Sequence, residues 1–303
     1  MDNLTHSLVG ALIGQAGLKR KTGLAMPALI IGANIPDIDG ACVLLGDMQH
    51  LALRRGITHG PIAWVVLPLA LAGILWAFDR WQARRGKRPQ GRLPVHFGWL
   101  YALSLIACLS HPALDWLNTY GIRLLEPFSS RWFYGDVLFI IDLWLWLGLG
   151  FATWLSLRRE KKIGGNWRRP ARVALAAALV YVGLNAAITW QAERRALFNS
   201  PYPSLAIASE VPVLFWRREM ISGHGDGIWQ VGDTSVGDVP LDRCDLDTAR
   251  AVTPAADAFL FWSRAPFVER LPSGAWRLSD ARFASSGGSR FSVELPAATC
   301  QPA

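Results

Sequence analysis

The sequence predicts a mainly α-helical, polytopic membrane protein followed by a small β-rich domain. Three observations carry that expectation. The 303 residues are 51% hydrophobic and only 18% charged, with a mean hydropathy of +0.23, too apolar a balance for a soluble chain of this length. Apolar stretches long enough for a bilayer recur through the first two thirds of the chain. Roughly the last hundred residues change to short alternating runs broken by Gly, Pro and Asp.

The elements follow in order. Residues 4–18 and 24–45 are shorter or interrupted apolar stretches around the basic turn Lys19–Arg20–Lys21, and read as a tight helical hairpin. Four later segments reach the roughly 20 residues needed to cross hydrocarbon: 60–79, 94–111, 137–157 and 171–190. Positively charged loops stay cytoplasmic, so Lys19–Lys21, residues 79–92 (DRWQARRGKRPQGR) and residues 158–169 (RREKKIGGNWRR) fall inside. The N-terminus, residues 36–59, residues 111–136 and everything beyond about residue 195 then fall outside. Arg54, Arg55, Arg194 and Arg195 are exceptions to the charge rule. The net charge of +8 reads as cytoplasmic anchoring, because the basic residues form short clusters without an aromatic-interleaved basic face, and no nucleic-acid partner is expected. The opening MDNLTHSLVGALIG has no basic n-region and no small-residue cleavage site, and is expected to be retained.

This division gives a helical membrane domain at 1–195 and a β-rich domain at 196–303, the latter extracytoplasmic by the charge rule. SLAIASEVPVLFW, GIWQVGD and RFSVELP supply its candidate strands. Cys244 and Cys300 lie in that domain, where an oxidising compartment permits a disulfide without the sequence deciding that one forms. Cys42 and Cys108 lie in apolar stretches, and with no CxxC a zinc-thiolate site is not expected. The 15 Trp residues suit interfacial belts.

The polar residues in and beside the apolar segments form the candidate site. In SHPALDW, His111 and Asp115 stand one helical turn apart on one face. His6, Asp37 and Asp39 of NIPDIDG, His59 of RRGITHGP, and Asp142 of FIIDLW reach the same outer face, although the orientation rule uses none of them. An aspartate at membrane depth costs about 2.5–3.5 kcal/mol on insertion scales, and a shared cation satisfies several at once. Imidazoles with carboxylates suit zinc, and also manganese or iron, with zinc favoured by the nitrogen donors. A divalent metal at such a site makes hydroxide available near neutral pH, which points to hydrolysis. The plainer readings are helix-end caps for HPALD, a turn and cap for PDID, and a residue orienting a ligand histidine for Asp142.

These motifs resemble the YdjM-like family of metal-dependent hydrolases of the bacterial inner membrane. The matching pieces are THSLVGALIG, IPDIDG, RGITHGP, and LSHPALDWLNTYGIRLLEPFSSRWFYGD with IIDLW behind it, spanning roughly residues 1–150. The resemblance implies a multi-pass inner-membrane protein with a divalent metal, its polar motifs falling on His6, Asp37, Asp39, His59, His111, Asp115 and Asp142. Asn118, Thr119 and Tyr120 extend the motif as residues that orient ligands or touch substrate. A more distant likeness is to zinc-dependent phospholipase C and the P1-type nucleases, which cleave phosphoesters with His/Asp-bound zinc. There is one departure: where the family reads His-Arg-Gly-x-Thr-His-Ser, this chain has Arg54-Arg55-Gly56-Ile57-Thr58-His59-Gly60. Arg54 stands in for a histidine, and its planar fork suits an anionic group.

The function expected is a metal-dependent hydrolase acting at the outer membrane face on a phosphoester or lipid-like anionic substrate. A metal-bound hydroxide attacks, Arg54 or Arg55 steadies the developing charge, and membrane lipid is the expected partner. The alternative is a non-catalytic membrane protein in which a structural metal or a His/Asp network locks helices while the C-terminal domain binds a partner. Ion transport is a weaker third reading, because the ligands gather at one face instead of along a path across the membrane.

Overall fold

The computed structural model describes residues 1–162, 165–198, 203–286 and 291–301; Ile163 and Gly164 of the basic loop at 158–169 and Arg290 of RFSVELP lie outside the described residues. The chain forms two compact units, Met1–Asp39 with Arg55–Leu184, and Gly40–Arg54 with Asn185–Ala303. A short excursion between Asp39 and Arg55 thus belongs with the C-terminal part, which no single cut along the sequence isolates.

The first unit opens with α1 (Asn3–Gln15). Asp2 caps it, its carboxylate accepting the backbone N–H groups of Leu4 and Thr5 at 2.9 and 3.0 Å, which satisfies donors that a helix start leaves orphaned. The same carboxylate accepts the Trp146 indole N–H at 3.1 Å. After a 3₁₀ turn at Leu18–Arg20 the chain returns as α2 (Ala25–Gly32) and a 3₁₀ stretch, Ile35–Leu45, so the expected hairpin forms over the basic turn. Two glycines permit its close packing. A Cβ on Gly10 would lie 2.5 Å from the Leu29 carbonyl oxygen, and one on Gly32 would lie 3.0 Å from the Ala107 side chain, the small-residue contact by which membrane helices approach closely.

Next come α3 (Asp47–Leu53), which belongs to the second unit, then α4 (Pro61–Arg84), α5 (Phe97–Trp116), α6 (Leu143–Glu160) and α7 (Arg168–Phe198). Of these, α4, α5 and α7 are long and apolar enough to cross a membrane; the pair Ala25–Gly32 and Ile35–Leu44, bent by 45°, is a fourth if it counts as one broken span. Leu29, Leu71, Ala72, Leu100, Leu103 and Ala107 form the buried core among α2, α4 and α5. The outward faces stay apolar, with Ile74 64% and Leu179 74% exposed, as expected where lipid is the solvent.

Two boundaries differ from the expected spans. The segment 137–157 does not start a helix until Leu143, because the Asp142 side chain accepts the Leu145 N–H at 2.8 Å and caps the helix there. The resulting α6 ends on Arg158, Arg159 and Glu160 and is not among the helices that meet the length and polarity of a span. The span expected to close at His111 instead runs through Pro112 to Trp116. Proline there forfeits one backbone donor, and the extra turn carries Asp115.

The second unit holds two antiparallel sheets. β1 (Leu205–Glu210), β2 (Arg218–Gly223), β3 (Trp229–Val231) and β4 (Thr234–Val236) follow in spatial order, and β5 (Pro266–Arg270), β6 (Trp276–Asp280) and β7 (Ser292–Leu295) form the other sheet. Ile207, Ile221, Trp229, Val231 and Phe267 are buried together, and Cys244 is bonded to Cys300. The unit is less purely β than its turn-rich sequence suggests: α8 (Leu246–Val252) and α9 (Pro254–Trp262) interrupt the strands, the second begun by a proline at its first position. Of SLAIASEVPVLFW, only Leu205–Glu210 is strand.

Asp280, at the end of β6, is 1% exposed. It accepts from Ser263 Oγ at 2.5 Å, Arg264 N–H at 3.0 Å and Arg282 Nε at 2.8 Å. Burial by itself raises this carboxyl, but the Arg282 charge and these bonds outweigh it and hold Asp280 at about 2. The folded value lies below the unfolded one of about 3.9, so the stabilisation is complete above the unfolded value and fades as pH falls towards the folded one. Asp280→Asn, which leaves Arg282 buried without its counter-charge, is expected to lower stability at neutral pH by about 3–5 kcal/mol. The gap from wild type should narrow in acid, as urea unfolding of the full chain in detergent, followed by tryptophan fluorescence, will measure.

Candidate metal centre

The last turn of α5 places His111 and Asp115 side by side, both fully buried. His59 ends a 3₁₀ turn, Ile57–His59, immediately before α4, with its carbonyl accepting the Trp64 indole N–H at 2.6 Å. Gly60 follows, and a Cβ there would overlap the Glu126 carbonyl, so the glycine answers a close backbone approach. Asp37 and Asp39 come from the 3₁₀ stretch after α2.

Asp37, His59, His111 and Asp115 each offer one donor atom, all within 4.8 Å of one another. The two Nε2 atoms are 3.2 Å apart. Asp37 Oδ1 is 3.6 Å from His111 Nε2 and 4.0 Å from His59 Nε2, and Asp115 Oδ2 is 3.5 Å from both. Four ligands at about 2.0–2.2 Å from a tetrahedral zinc are separated by about 3.3–3.6 Å, against 3.2–4.0 Å here for the pairs that include a histidine and at most 4.8 Å for the whole set.

Hydrogen bonds orient both rings. His111 Nδ1 is 2.7 Å from the Ala33 carbonyl oxygen, which only accepts, so Nδ1 carries a proton and Nε2 is the ring atom turned towards the other donors. The Thr58 hydroxyl donates to Asp39 Oδ2 at 2.9 Å and is left to accept His59 Nδ1–H at 2.9 Å, which turns His59 Nε2 the same way. Two imidazole nitrogens and two carboxylate oxygens therefore converge, the donor types that a divalent cation takes. The Arg55 guanidinium is paired with Asp115, and Arg123 with Glu126. The Met1 amine also touches Asp115. The donor set fits a divalent metal.

The remaining candidate residues surround this set in other ways. Asp39 accepts the Arg55 N–H at 2.7 Å and lies 3.3 Å from His59 Nδ1, so it orients His59. His6 stacks on His111 at 3.8 Å between ring centroids, with its Nε2 3.3 Å from Asp115 Oδ1, and stands outside the four donors. Asp142 is occupied by its capping bond and by the Tyr181 hydroxyl at 2.9 Å, so it neither joins the donors nor orients either histidine.

The expectation that Arg55 steadies substrate charge gives way to a positioning role. The side chain is 2% exposed, and its fork donates to Asp115 Oδ1 from Nη2 at 3.1 Å, with Nε 3.0 Å from Oδ2. Nη1 donates to Asn118 Oδ1 at 2.9 Å and to the Gly121 carbonyl at 3.1 Å, and the guanidinium lies over Tyr120. Asn118 and Tyr120 thus hold Arg55. Arg54 ends α3 and falls in the other compact unit, its guanidinium against Gly40. Sequence reading missed Thr58, although it adjoins His59, and missed the Ala33 carbonyl, which no side-chain pattern can reveal.

Fold and site together define a helical membrane protein with a buried His/Asp centre at one end of its helices. The model of the YdjM inner membrane protein family matches residues 1–192, and the chain belongs to that family. Among known proteins it is similar to the "Uncharacterized protein YfhP" of Bacillus subtilis (strain 168), 25% identical over 267 residues that cover 83% of this chain and 72% of that protein. No solved structure matches the chain.

Arg55→Ala leaves the buried Asp115 without its counter-charge and is expected to cost about 3–5 kcal/mol. Arg55→Lys keeps the charge but not the fork and should lie between Arg55→Ala and wild type. Thermal unfolding of the three proteins in detergent checks this order; equal midpoints would remove the proposed role of Arg55.

Proposed function

We propose that this protein is an inner-membrane metal-dependent hydrolase acting on a phosphoester or lipid-like anionic substrate at the outer face of the membrane. The observation that carries the reading is the convergence of Asp37, His59, His111 and Asp115, two imidazoles and two carboxylates whose donor atoms face one another. A divalent ion held there supplies Lewis acidity and makes water a usable nucleophile near neutral pH. Zinc is favoured by the nitrogen donors, with manganese and iron the alternatives.

The surrounding residues have assignable tasks. Asp39 and Thr58 fix the His59 ring, the Ala33 carbonyl fixes His111, and the Arg55 fork fixes Asp115. The Asp37 side chain, like those of the other three donors, is buried, at 6% exposure. Location is argued from polarity. His59 precedes α4 and His111 lies near the end of α5, whereas the basic residues of 79–92 lie at the opposite ends of these two helices. With the basic end cytoplasmic, the centre opens outward. The Cys244–Cys300 disulfide supports an extracytoplasmic second unit.

A structural metal in a non-catalytic protein, with a partner-binding C-terminal unit, is the second reading. It is favoured by the presence of four protein donors, enough to close a tetrahedral site. The two readings differ in whether Asp115, whose Oδ1 accepts from Arg55, closes the set with its Oδ2 or leaves a position open as catalytic zinc sites do.

Metal analysis of the detergent-purified protein beside Asp37→Ala and His111→Ala, with a panel of soluble phosphodiesters and phospholipids, tests the proposal. Stoichiometric metal in wild type, its loss in both variants and hydrolysis by wild type alone are expected. Full metal without hydrolysis would favour the structural reading, and undiminished metal in both variants would remove the centre.

A further inference from the structure

The loop between β1 and β2, residues 211–217 (VPVLFWR), exposes apolar surface on the second unit. Val213 is 49% and Trp216 54% exposed, Phe215 packs edge-on against Trp216 with centroids 5.1 Å apart, and Arg217 is exposed beside them. Val213 adopts a φ of 68°, a left-handed conformation that β-branched residues rarely take. A water-facing turn selects Gly, Asn or Asp at such a position. Here an aliphatic side chain occupies it.

The depth of this loop is set by Arg218, the first residue of β2. Its guanidinium donates from Nε to Thr189 Oγ1 at 2.9 Å, and from Nη2 to the Asn185 backbone and side-chain oxygens at 3.1 Å. Both partners belong to α7. Between Arg172 and Trp190 that helix has no charged residue, and the interval measures about 27 Å along its axis, close to the roughly 30 Å hydrocarbon core. Trp190 is 59% exposed and Arg194 stacks on it at 4.6 Å, the composition of an interfacial belt. Thr189 therefore lies at the membrane interface, and Arg218 ties the β1–β2 loop to that level.

We propose that residues 213–217 are a membrane-interface anchor, with Val213 and Trp216 entering the headgroup region of the bilayer that α7 crosses and Arg217 pairing with lipid phosphates. Tryptophan places an apolar body and a polar N–H at such a boundary, and arginine pairs well with phosphate. The partner is phosphate-bearing lipid, and the inference rests on α7 spanning the membrane, not on the metal centre.

Site-specific labelling of the full chain tests it. In a background of Cys42→Ser and Cys108→Ala, with the disulfide intact, an environment-sensitive fluorophore is attached after Val213→Cys, Trp216→Cys or, as control, Ser235→Cys on exposed β4. The protein is placed in nanodiscs of phosphatidylcholine and phosphatidylglycerol in equal parts. Probes at 213 and 216 should emit at shorter wavelength, resist aqueous iodide several-fold better than the probe at 235, and be quenched by lipids carrying a shallow doxyl group. Iodide access equal to that at 235 would overturn the proposal. Shielding from iodide without doxyl quenching would assign the loop to a protein surface and overturn it equally.

Discussion

The centre depends on the ion pair between Asp115 and Arg55. Two charges held at 0% and 2% exposure are each expensive to remove from water, and only good geometry with further hydrogen bonds compensates. These are supplied by the Nη2 bond to Oδ1, with Nε 3.0 Å from Oδ2, and by Asn118, Gly121 and Tyr120 around the guanidinium. The backbone contributes as well. Arg55 has a φ of 54°, a left-handed conformation kept by its N–H on Asp39 and by its carbonyl accepting from Arg123. One residue thereby couples the end of α5 to the segment that supplies His59, and Asp39 serves Arg55 and His59 at once.

Helix packing places the donors. Gly10 lets α1 approach α2 at Leu29, and Gly32 lets α2 approach α5 at Ala107. A larger side chain at either position separates elements whose ends carry His6, Asp37 and His111. The close approach also brings the Ala33 carbonyl, at the end of α2, within reach of His111 Nδ1. A helix C-terminus has carbonyls without intrahelical partners, and one of them here orients a histidine ring.

Much of this was legible in the sequence, for identifiable reasons. The runs that became α4, α5 and α7 are long and apolar enough to be unmistakable, and the four-residue spacing of His111 and Asp115 puts them on one helical face whatever the fold. The convergence of Asp37, His59, His111 and Asp115 was foreshadowed by their shared membrane side. Less legible were features set by three-dimensional contact. Asp142 reads as a ligand or as a residue orienting one, and only the start of α6 at Leu143 reveals it as a cap. Arg55 resembles a substrate-facing arginine until its burial against Asp115 is seen. In the second unit, frequent turn residues concealed α8 and α9, each too short for a helical period to stand out against strand-like alternation.

The donors at positions 37, 59, 111 and 115 come from separate stretches of a chain that is made and inserted from one end to the other. Until the ribosome has delivered α5 and it has docked against α2, half of the ligand set is missing and nascent Asp37 and His59 can only hold an ion loosely. Closure of the four-donor set is therefore a late event of biogenesis, coupled to completion of the helical core, and any ion that binds only the closed set favours the assembled state over every partly inserted one.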